Sequence, residues 1–367
     1  MIRRVKYYSF HASELVYLLQ MKKDFKQFKP SELRLKDLSP LDDLSYCYEA
    51  LKKVSRSFAV VIQQLPEELK NPVCMFYLIL RGLDTIEDDM NLDNAVKKDM
   101  LLSFADRINK EEFVLENVGD TEDYQDLMLH FDKVLREYQK LSPQYKEVIT
   151  AITNEMAIGM NKYANETVES YEDWDDYCYY VAGLVGIGLS RLFLASDLET
   201  SHKLQDKELS NQMGLFLQKT NIIRDFAEDL EQGRIFWPEA SWKNKANTLK
   251  ELQSNEQKGL AALNEVVLNA LEHAPACLEF LECLENKQVF RFCAIPQLMA
   301  IATLKELYNN PEVLNKNVKI RKGKTAKYFV FIQDFTSTKK EFISILRSLE
   351  KKDSTGKVQS ILAKIQL

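Results

Sequence analysis

The chain has 367 residues, and its 46% hydrophobic and 28% charged residues exclude an intrinsically disordered protein and indicate a globular one with a large core. The formal net charge of −6 leaves no basic surplus, so we expect no nucleic-acid partner. Six scattered cysteines without a Cys-x-x-Cys pair are interpreted as reduced thiols, and 11 glycines with 9 prolines favour long helices without a flexible linker.

No segment of the chain predicts a signal peptide or a membrane span. The N-terminus carries Arg3, Arg4 and Lys6 without a following apolar run. The most apolar stretch, residues 177–189, has about thirteen residues, whereas a span needs about 20. We therefore expect the chain as given to be soluble.

Hydrophobic spacing predicts helices along almost the whole chain. Leu15, Leu18 and Leu19 fit a first helix, and Ser142 followed by Pro143 predicts a helix N-terminus. The further predicted helices cover residues 44–62, 73–89, 143–167, 174–196, 209–230, 248–273 and 295–308, and the helical spacing returns at Phe342, Ile345, Leu346 and Leu349. Residues 328–332 resemble a strand, for which we find no partner. We therefore predict one all-α domain over residues 1–367.

Two segments share the pattern Asp-x-x-Glu-Asp, at residues 84–88 and 225–229. On a helix the three acidic positions fall within an arc of about 100°, so the carboxylates repel each other and require a cation. Mg²⁺ takes oxygen ligands and commonly binds through a few carboxylates together with substrate phosphates. Two such faces opposed across a cleft could clamp a diphosphate and favour loss of pyrophosphate. One acidic cluster alone is usually a solvated face, but the repeated pattern favours metal binding.

Polar residues accompany both motifs on the same helix face. On the first predicted helix an apolar stripe lies opposite a polar one, which consists of Tyr77, Arg81, Asp84 and Asp88. On the second, one face carries Gln218, Asn221, Asp225 and Asp229. This arrangement fits a substrate cavity better than a solvated surface. Arg81 and Arg224 could alternatively form simple intrahelical ion pairs of small energy.

The apolar segment at residues 177–193 begins with a tyrosine. Counted at helical spacing, Tyr177 shares a face with Val181, Leu184 and Gly188. We expect this face to suit an apolar ligand, because the glycine leaves room, water is excluded from a carbocation, and the phenol can accept a proton. The alternative is a core helix whose tyrosines form hydrogen bonds elsewhere.

Several segments together carry a family resemblance over residues 40–335. They are Ser55-Arg-Ser-Phe58, YLILRGLDTIEDDM (residues 77–90), residues 177–193, LQKTNIIRD (residues 217–225), GRIFWP (residues 233–238) and FRFCAIPQ (residues 290–297). With these segments the chain resembles the squalene synthases (farnesyl-diphosphate farnesyltransferases), of which the phytoene synthases are a sister family. The resemblance implies an all-α, single-domain helical bundle of the class I isoprenoid synthase type with a central active-site cavity.

The resemblance also implies a two-step reaction. Two farnesyl diphosphates condense to presqualene diphosphate, which rearranges and is reduced by NADPH to squalene. The implied ligands of Mg²⁺, or of Mn²⁺ in its place, are Asp84, Glu87, Asp88, Asp225 and Asp229. Tyr177 is the implied base of the first step.

Further residues match positions near the substrate or the cofactor. The arginines expected beside diphosphate or cofactor phosphates are Arg56, Arg81, Arg224 and Arg234. The aromatic lining matches Phe58, Tyr77, Phe290 and Phe292, and Gln218 and Asn221 complete the expected substrate contacts. In the basic run at residues 316–327, Lys319 and Arg321 are implied to bind NADPH, although such a run could also be a solvated loop.

The chain departs from its relatives at two places. Tyr179 stands where many relatives have histidine, and we expect little effect because it lies beside the helix face. Full-length relatives end in a transmembrane helix that anchors them to the endoplasmic reticulum membrane with the catalytic part facing the cytosol. We expect a truncated chain here, a naturally soluble member being the alternative, and we expect a monomer.

Two rival functions keep most of these features. A phytoene- or dehydrosqualene-type enzyme would couple prenyl groups without the reduction by NADPH. A non-catalytic helical scaffold would use the acidic faces only to bind calcium or a basic partner, which leaves Tyr177 and Arg81 beside the motifs unexplained.

Overall fold

A computed structural model of the protein describes Tyr17 and residues 38–110, 113–164 and 166–366, except for the side chains of residues 56, 57 and 366. Every regular element within these ranges is helical, which confirms the all-α prediction. The predicted first helix at Leu15, Leu18 and Leu19 lies outside the described residues.

The elements follow one another with short connections. From residue 38 onwards, the described α-helices begin with α1 (Asp43–Val54), α2 (Arg56–Ile62), α3 (Glu67–Asp88), α4 (Asn94–Lys110), α5 (Glu122–Leu129), α6 (Phe131–Gln139), α7 (Pro143–Tyr163), α8 (Tyr171–Cys178) and α9 (Leu184–Ala195). The others are α10 (Lys207–Arg224), α11 (Phe226–Glu231), α12 (Glu239–Trp242), α13 (Leu249–Ser254), α14 (Glu256–Leu271), α15 (Ala274–Glu282), α16 (Lys287–Leu307), α17 (Lys322–Phe331), α18 (Phe335–Glu350) and α19 (Lys357–Gln366). A π-helical turn at Tyr179–Gly183 and 3₁₀ turns at His202–Gln205 and Pro311–Leu314 complete the set.

The chain divides into two compact units. Of the described residues, the N-terminal unit comprises those within 38–167 and 179–207, and the C-terminal unit comprises Tyr17 and those within 168–178 and 208–366. Helices α1–α7 and α9 therefore belong to the N-terminal unit, and α8 and α10–α19 to the C-terminal unit. The single catalytic domain over residues 1–367 stays a prediction.

Helix α3 carries the first acidic motif and belongs to the N-terminal unit. Its predicted apolar stripe is confirmed, because four side chains are fully buried: Met75, Ile79, Leu83 and Ile86. The helix begins at Glu67 rather than at the predicted Val73, so Pro72 lies inside it. Proline has no N–H for the Glu68 carbonyl, which instead accepts a hydrogen bond of 3.5 Å from the Tyr145 hydroxyl.

Other predicted boundaries need correction where a single residue interrupts a helix. Ser55 is extended (φ −154°, ψ 91°) and separates α1 from α2 inside the predicted 44–62 helix. Asn255 interrupts the predicted 248–273 helix and caps α14 by accepting a hydrogen bond from the Lys258 N–H at 3.2 Å. The predicted start at Ser142 and Pro143 is confirmed, and α7 ends at Tyr163.

The strand predicted at residues 328–332 is wrong, because residues 328–331 are the last turn of α17. Tyr328 and Phe329 are buried with Gly323 and Ala326, a spacing that belongs to a helix. The Tyr328 hydroxyl donates to the Glu341 carboxylate of α18 at 3.4 Å. Tertiary packing has overridden the local strand preference of aromatic and β-branched residues.

The apolar helix around Tyr177 is longer than the sequence count of about thirteen residues. Helix α8, the π-helical turn and α9 form one continuous run, Tyr171–Ala195. By length and composition it is the one helix among the described residues that could cross a membrane, with a mean hydropathy of 1.5 over its best 18-residue window. Trp174, Leu192 and Phe193 are fully buried, which is typical of a core helix.

Candidate active site

The first acidic motif occupies the last turn of α3. Asp84, Glu87 and Asp88 are all half-buried, and α3 ends at Asp88. The last turn contains no basic residue. Because the C-terminus of a helix carries the negative end of its dipole, three carboxylates there add to one another's repulsion and to that of the dipole. This end of α3 therefore favours a bound cation.

The surroundings of Asp84 show the same need. Burial raises the pKa of the Asp84 carboxyl to about 6; Arg81 lowers it in part, and the charge of Asp88 raises it further. The side chain keeps 27% of its surface exposed, yet protein surrounds the carboxyl closely enough to disfavour its charge. The intrahelical pair considered above is present, with Arg81 Nη1 and Asp84 Oδ2 3.3 Å apart. That pair does not restore the ordinary pKa, so a further cation would stabilise the carboxylate.

Aromatic rings surround Arg81. Its guanidinium lies 5.8 Å from the ring centre of Tyr77 and 5.6 Å from that of Tyr124. The ring of Phe58 packs next to that of Tyr77, with the ring centres 5.7 Å apart. The Arg81 Nε is buried and has no hydrogen-bond partner among the described atoms. The structure thus brings together the predicted Phe58, Tyr77, Arg81 and Asp84. It adds Tyr124, which the sequence did not indicate.

Asp89 differs from the acidic residues before it. It is almost fully buried, and its carboxylate accepts hydrogen bonds from the N–H groups of Asn91 and Gly119, each 2.8 Å long. Gly119 has φ +121°, a backbone conformation that side chains rarely adopt. Asp89 therefore holds the loop at residues 117–120 on the end of α3.

The second acidic motif interrupts a helix. The predicted 209–230 helix breaks at Asp225 (φ −94°, ψ 7°), where α10 gives way to α11. Arg224 Nε donates to Asp225 Oδ1 at 2.8 Å, and Arg234 Nη2 lies 3.4 Å from Asp229 Oδ1. The two arginines near this motif are thus already in contact with its carboxylates. The four residues of the predicted polar face are each half-buried: Gln218, Asn221, Asp225 and Asp229.

Asn317 is a contact of the second motif that the sequence did not indicate. Its amide donates to Asp225 Oδ1 and lies 3.5 Å from Glu228 Oε2. The residue belongs to the basic run at residues 316–327, in which Lys319 and Arg321 are exposed. Burial lowers the pKa of Lys324.

Tyr177 packs against the segment that follows the second motif. Its ring stacks on that of Phe236, with centres 5.4 Å apart and planes 19° from parallel. The Arg234 guanidinium lies 5.8 Å from the same Phe236 ring. The GRIFWP segment thus brings Tyr177 and Arg234 to one aromatic ring. Phe236 was missed because its role depends on the turn at Gly233, where φ is +75°.

The helical face counted from Tyr177 is not maintained. The π-helical turn begins two residues later and shifts every following side chain, so Tyr177 does not share an α-helical face with Val181, Leu184 and Gly188. Gly188 also leaves no room for a ligand, since a Cβ there would lie 2.5 Å from Phe76. That glycine admits a core phenylalanine, and this part of the prediction is wrong.

Two of the remaining predicted site residues are buried phenylalanines. Phe290 and Phe292 lie in α16 and are each 5% exposed. The side chain of Arg56 lies outside the described part of the chain. Among the described residues no three histidine, cysteine or acidic side chains form a ready-made metal site.

The protein is similar to known enzymes over most of its length. A family model described as Squalene/phytoene synthase matches residues 51–324. Squalene synthase BSS of Botryococcus braunii is 41% identical over 93% of this chain and 74% of its own length. The squalene synthase of Nicotiana benthamiana is 47% identical over 80% of this chain and 71% of its own.

Solved structures show the same relationship. The complex of TcSQS with the ligand E5700 has a TM-score of 0.85 and 38% identity, covering 88% of this chain and 97% of that one. A dehydrosqualene synthase complex with 22% identity and a TM-score of 0.53 shares the fold.

Proposed function

Since the chain belongs to the squalene/phytoene synthase family, we propose that it condenses two farnesyl diphosphates to presqualene diphosphate with Mg²⁺, and then reduces this product to squalene with NADPH. The family, the prenyltransferase class and the squalene synthase function predicted from the sequence are confirmed by the relatives. The proposal therefore concerns the ion, the cofactor and the residues that carry the reaction. The observation that supports it most is the crowded carboxylate end of α3, where the pKa of Asp84 is raised to about 6.

We propose that Mg²⁺ is held at the two acidic motifs, by Asp84, Glu87 and Asp88 and by Asp225 and Asp229. When bound, Mg²⁺ neutralises the charge that develops on the departing pyrophosphate. Arg81 contributes a hydrogen bond from its buried Nε to a phosphate oxygen, which a charged donor makes strong. The neighbouring rings of Tyr77 and Phe58 keep water away and stabilise an allylic cation by about 0.5–2 kcal/mol per ring.

Tyr177 is the proposed base of the first step. Stacking on Phe236 holds its ring plane, so that its hydroxyl oxygen can receive the proton released as the cyclopropane closes while its own hydroxyl proton passes to the departing pyrophosphate. Phe290, Phe292, Gln218 and Asn221 remain proposed substrate contacts.

The pH dependence of metal binding follows from Asp84. Its pKa of about 6 in the folded protein is above its ordinary value of 3.8, so the metal-free fold loses stability as pH rises from about 4 to 6 and stays level above that. Mg²⁺ must displace this proton below pH 6, so we expect the Mn²⁺ affinity measured by electron paramagnetic resonance to fall up to about tenfold between pH 6 and 5. Arg81→Met should move this break to higher pH, because Arg81 lowers the pKa. An affinity that does not change over this range would contradict the assignment.

NADPH is the proposed reductant, and Lys319 and Arg321 are its proposed phosphate contacts. The Asn317 amide attaches their segment to Asp225 of the second motif, and Lys319 and Arg321 follow Asn317 by two and four positions. We expect Lys319→Ala and Arg321→Ala each to raise KM for NADPH about tenfold or more, while presqualene diphosphate forms at the normal rate. Steady-state assays of the two half-reactions measure this. Lys340→Ala, at an exposed lysine of α18, is the matched control, and an equal effect of all three would refute the site.

The rival functions make different predictions in one assay. With farnesyl diphosphate and Mg²⁺ alone, we expect presqualene diphosphate to accumulate, and squalene to appear only when NADPH is added. The same final hydrocarbon with and without NADPH would favour the dehydrosqualene type. Absence of pyrophosphate release would favour a non-catalytic scaffold.

We further propose that the enzyme works as a monomer at the endoplasmic reticulum membrane, with its catalytic part facing the cytosol. This rests on the resemblance to squalene synthases, on the apolar prenyl chain of the substrate and on the apolar product. Fractionation of cells that express the protein, with protease protection of the sealed membranes, tests the location.

A further inference from the structure

Lys219 is the one completely buried lysine among the described residues. It lies on α10 between Gln218 and Asn221, both of which are half-buried members of the polar face. Lysine is almost never fully buried unless it is paired, because removing its charge from water is unfavourable. The position of Lys219 inside the C-terminal unit therefore needs an explanation.

Three contacts connect Lys219 to two other helices. Its ammonium forms an ion pair with Asp175 of α8, and it donates to Asn269 Oδ1 of α14 at 2.6 Å. It also lies 4.8 Å from the ring centre of Trp174 in α8. Asp175 keeps 47% of its side chain exposed and its Oδ1 is not aligned for a hydrogen bond, so the contact is a charge pair with the lysine as its buried partner.

Helices α8 and α10 both carry proposed functional residues. Tyr177 follows Asp175 by two positions, and α8 ends one residue later where the π-helical turn begins. The hydrogen-bond pattern changes at that turn, so the residues after it follow α8 in a shifted register. Helix α10 carries Gln218 and Asn221 and ends at the second acidic motif. Lys219 is the charged group that joins these two helices.

We propose that Lys219 is a positioning residue, which holds the Tyr177 helix in register with α10 so that the base and the leaving-group residues act on the same substrate. This rests on the proposed function, in which Tyr177 is the base of the first step. Lys219 itself does not touch the reacting atoms. His273 adds no competing charge nearby, since burial and the positive charge of Lys219 lower its pKa well below the ordinary value.

Lys219→Met tests this role with a side chain of similar length and no charge. We expect kcat for presqualene diphosphate formation to fall about 10- to 100-fold, with KM for farnesyl diphosphate within about threefold, because a displacement near 1 Å can reduce the rate that much. Lys53→Met is the control, since it removes another partly buried ion pair, with Asp126 at 3.3 Å in the N-terminal unit. It should leave kcat within about twofold.

The double variant Lys219→Met/Asp175→Asn separates positioning from simple support of the fold. It leaves no unpaired charge, so its unfolding midpoint should return toward that of the wild type. If Lys219 positions Tyr177, kcat stays low in spite of the recovered stability. Recovery of kcat together with stability would overturn the proposal.

A spectroscopic measurement that needs no enzyme turnover tests the positioning role independently of the proposed function. With 3-fluorotyrosine incorporated, the ¹⁹F resonance of residue 177 is assigned by its loss in Tyr177→Phe. We expect Lys219→Met to shift or broaden it and Lys53→Met to leave it unchanged. An unchanged resonance in Lys219→Met would refute the positioning role even in an active enzyme, whereas an inactive wild type would refute only the proposed function.

Discussion

Replacing Asp84 with asparagine is expected to abolish pyrophosphate release in both half-reactions, with a loss in kcat of about a thousandfold or more. The change removes one carboxylate from the crowded end of α3, where Mg²⁺ commonly needs one or two carboxylates together with phosphate oxygens. Folding should be retained, because the pKa of about 6 shows that the ionised carboxyl is disfavoured in the metal-free protein. Release of pyrophosphate and thermal unfolding in EDTA measure the two effects.

Asp89→Asn is the matched comparison, five residues further along the chain. Its carboxylate is occupied by the N–H groups of Asn91 and Gly119, so we expect a lower free energy of unfolding, by about 1–3 kcal/mol, and a Mn²⁺ affinity within about threefold of the wild type. Asp84→Asn should therefore weaken metal binding, whereas Asp89→Asn should lower the stability of the fold. Normal pyrophosphate release in Asp84→Asn would refute the metal role.

Tyr177→Phe is expected to stop presqualene diphosphate formation, with kcat lower by about 10²- to 10⁴-fold, the usual contribution of a positioned acid or base. Phenylalanine keeps the stacking on Phe236, so the fold and the binding of farnesyl diphosphate should not change. Presqualene diphosphate supplied from outside should still be reduced to squalene with NADPH. Product analysis of the two half-reactions measures this separation.

Tyr179→Phe is the control on the same segment. The Tyr179 hydroxyl lies 3.5 Å from the Glu155 carboxylate and its ring packs edge-on against Tyr180, a local structural role. We expect its activity to be normal within about twofold. Near-normal activity of Tyr177→Phe, or an equal loss in both variants, would show that another group accepts the proton.

Much of the fold followed from the sequence because the pattern of buried side chains is periodic. The apolar stripe of α3 and the repeat at Phe342, Ile345, Leu346 and Leu349 are both buried as expected. Breaks at Ser55 and Asp225 were not predictable, because each depends on the backbone conformation of a single residue in otherwise continuous helical spacing. The strand predicted at residues 328–332 failed where burial against α18 decided the conformation.

The acidic residues of the candidate site were predictable from the sequence, but the residues that contact and position them were not. Carboxylates spaced by three and four residues indicate a shared helix face whatever the fold, so Asp84 and Asp88 could be identified early. Tyr124, Phe236 and Asn317 reach the site residues through loops and distant helices, and no local spacing encodes such contacts. The π-helical turn after Tyr177 also makes the helix face predicted at 3.6 residues per turn incorrect beyond that turn.

The most direct test is a crystal structure grown with Mn²⁺ and a non-reactive diphosphate analogue, with the ions located by their anomalous scattering. We expect Mn²⁺ on carboxylate oxygens of Asp84 or Asp88 and on those of Asp225 or Asp229, with the diphosphate oxygens completing the coordination. Ions bound elsewhere, or a diphosphate held without metal at either motif, would contradict the account.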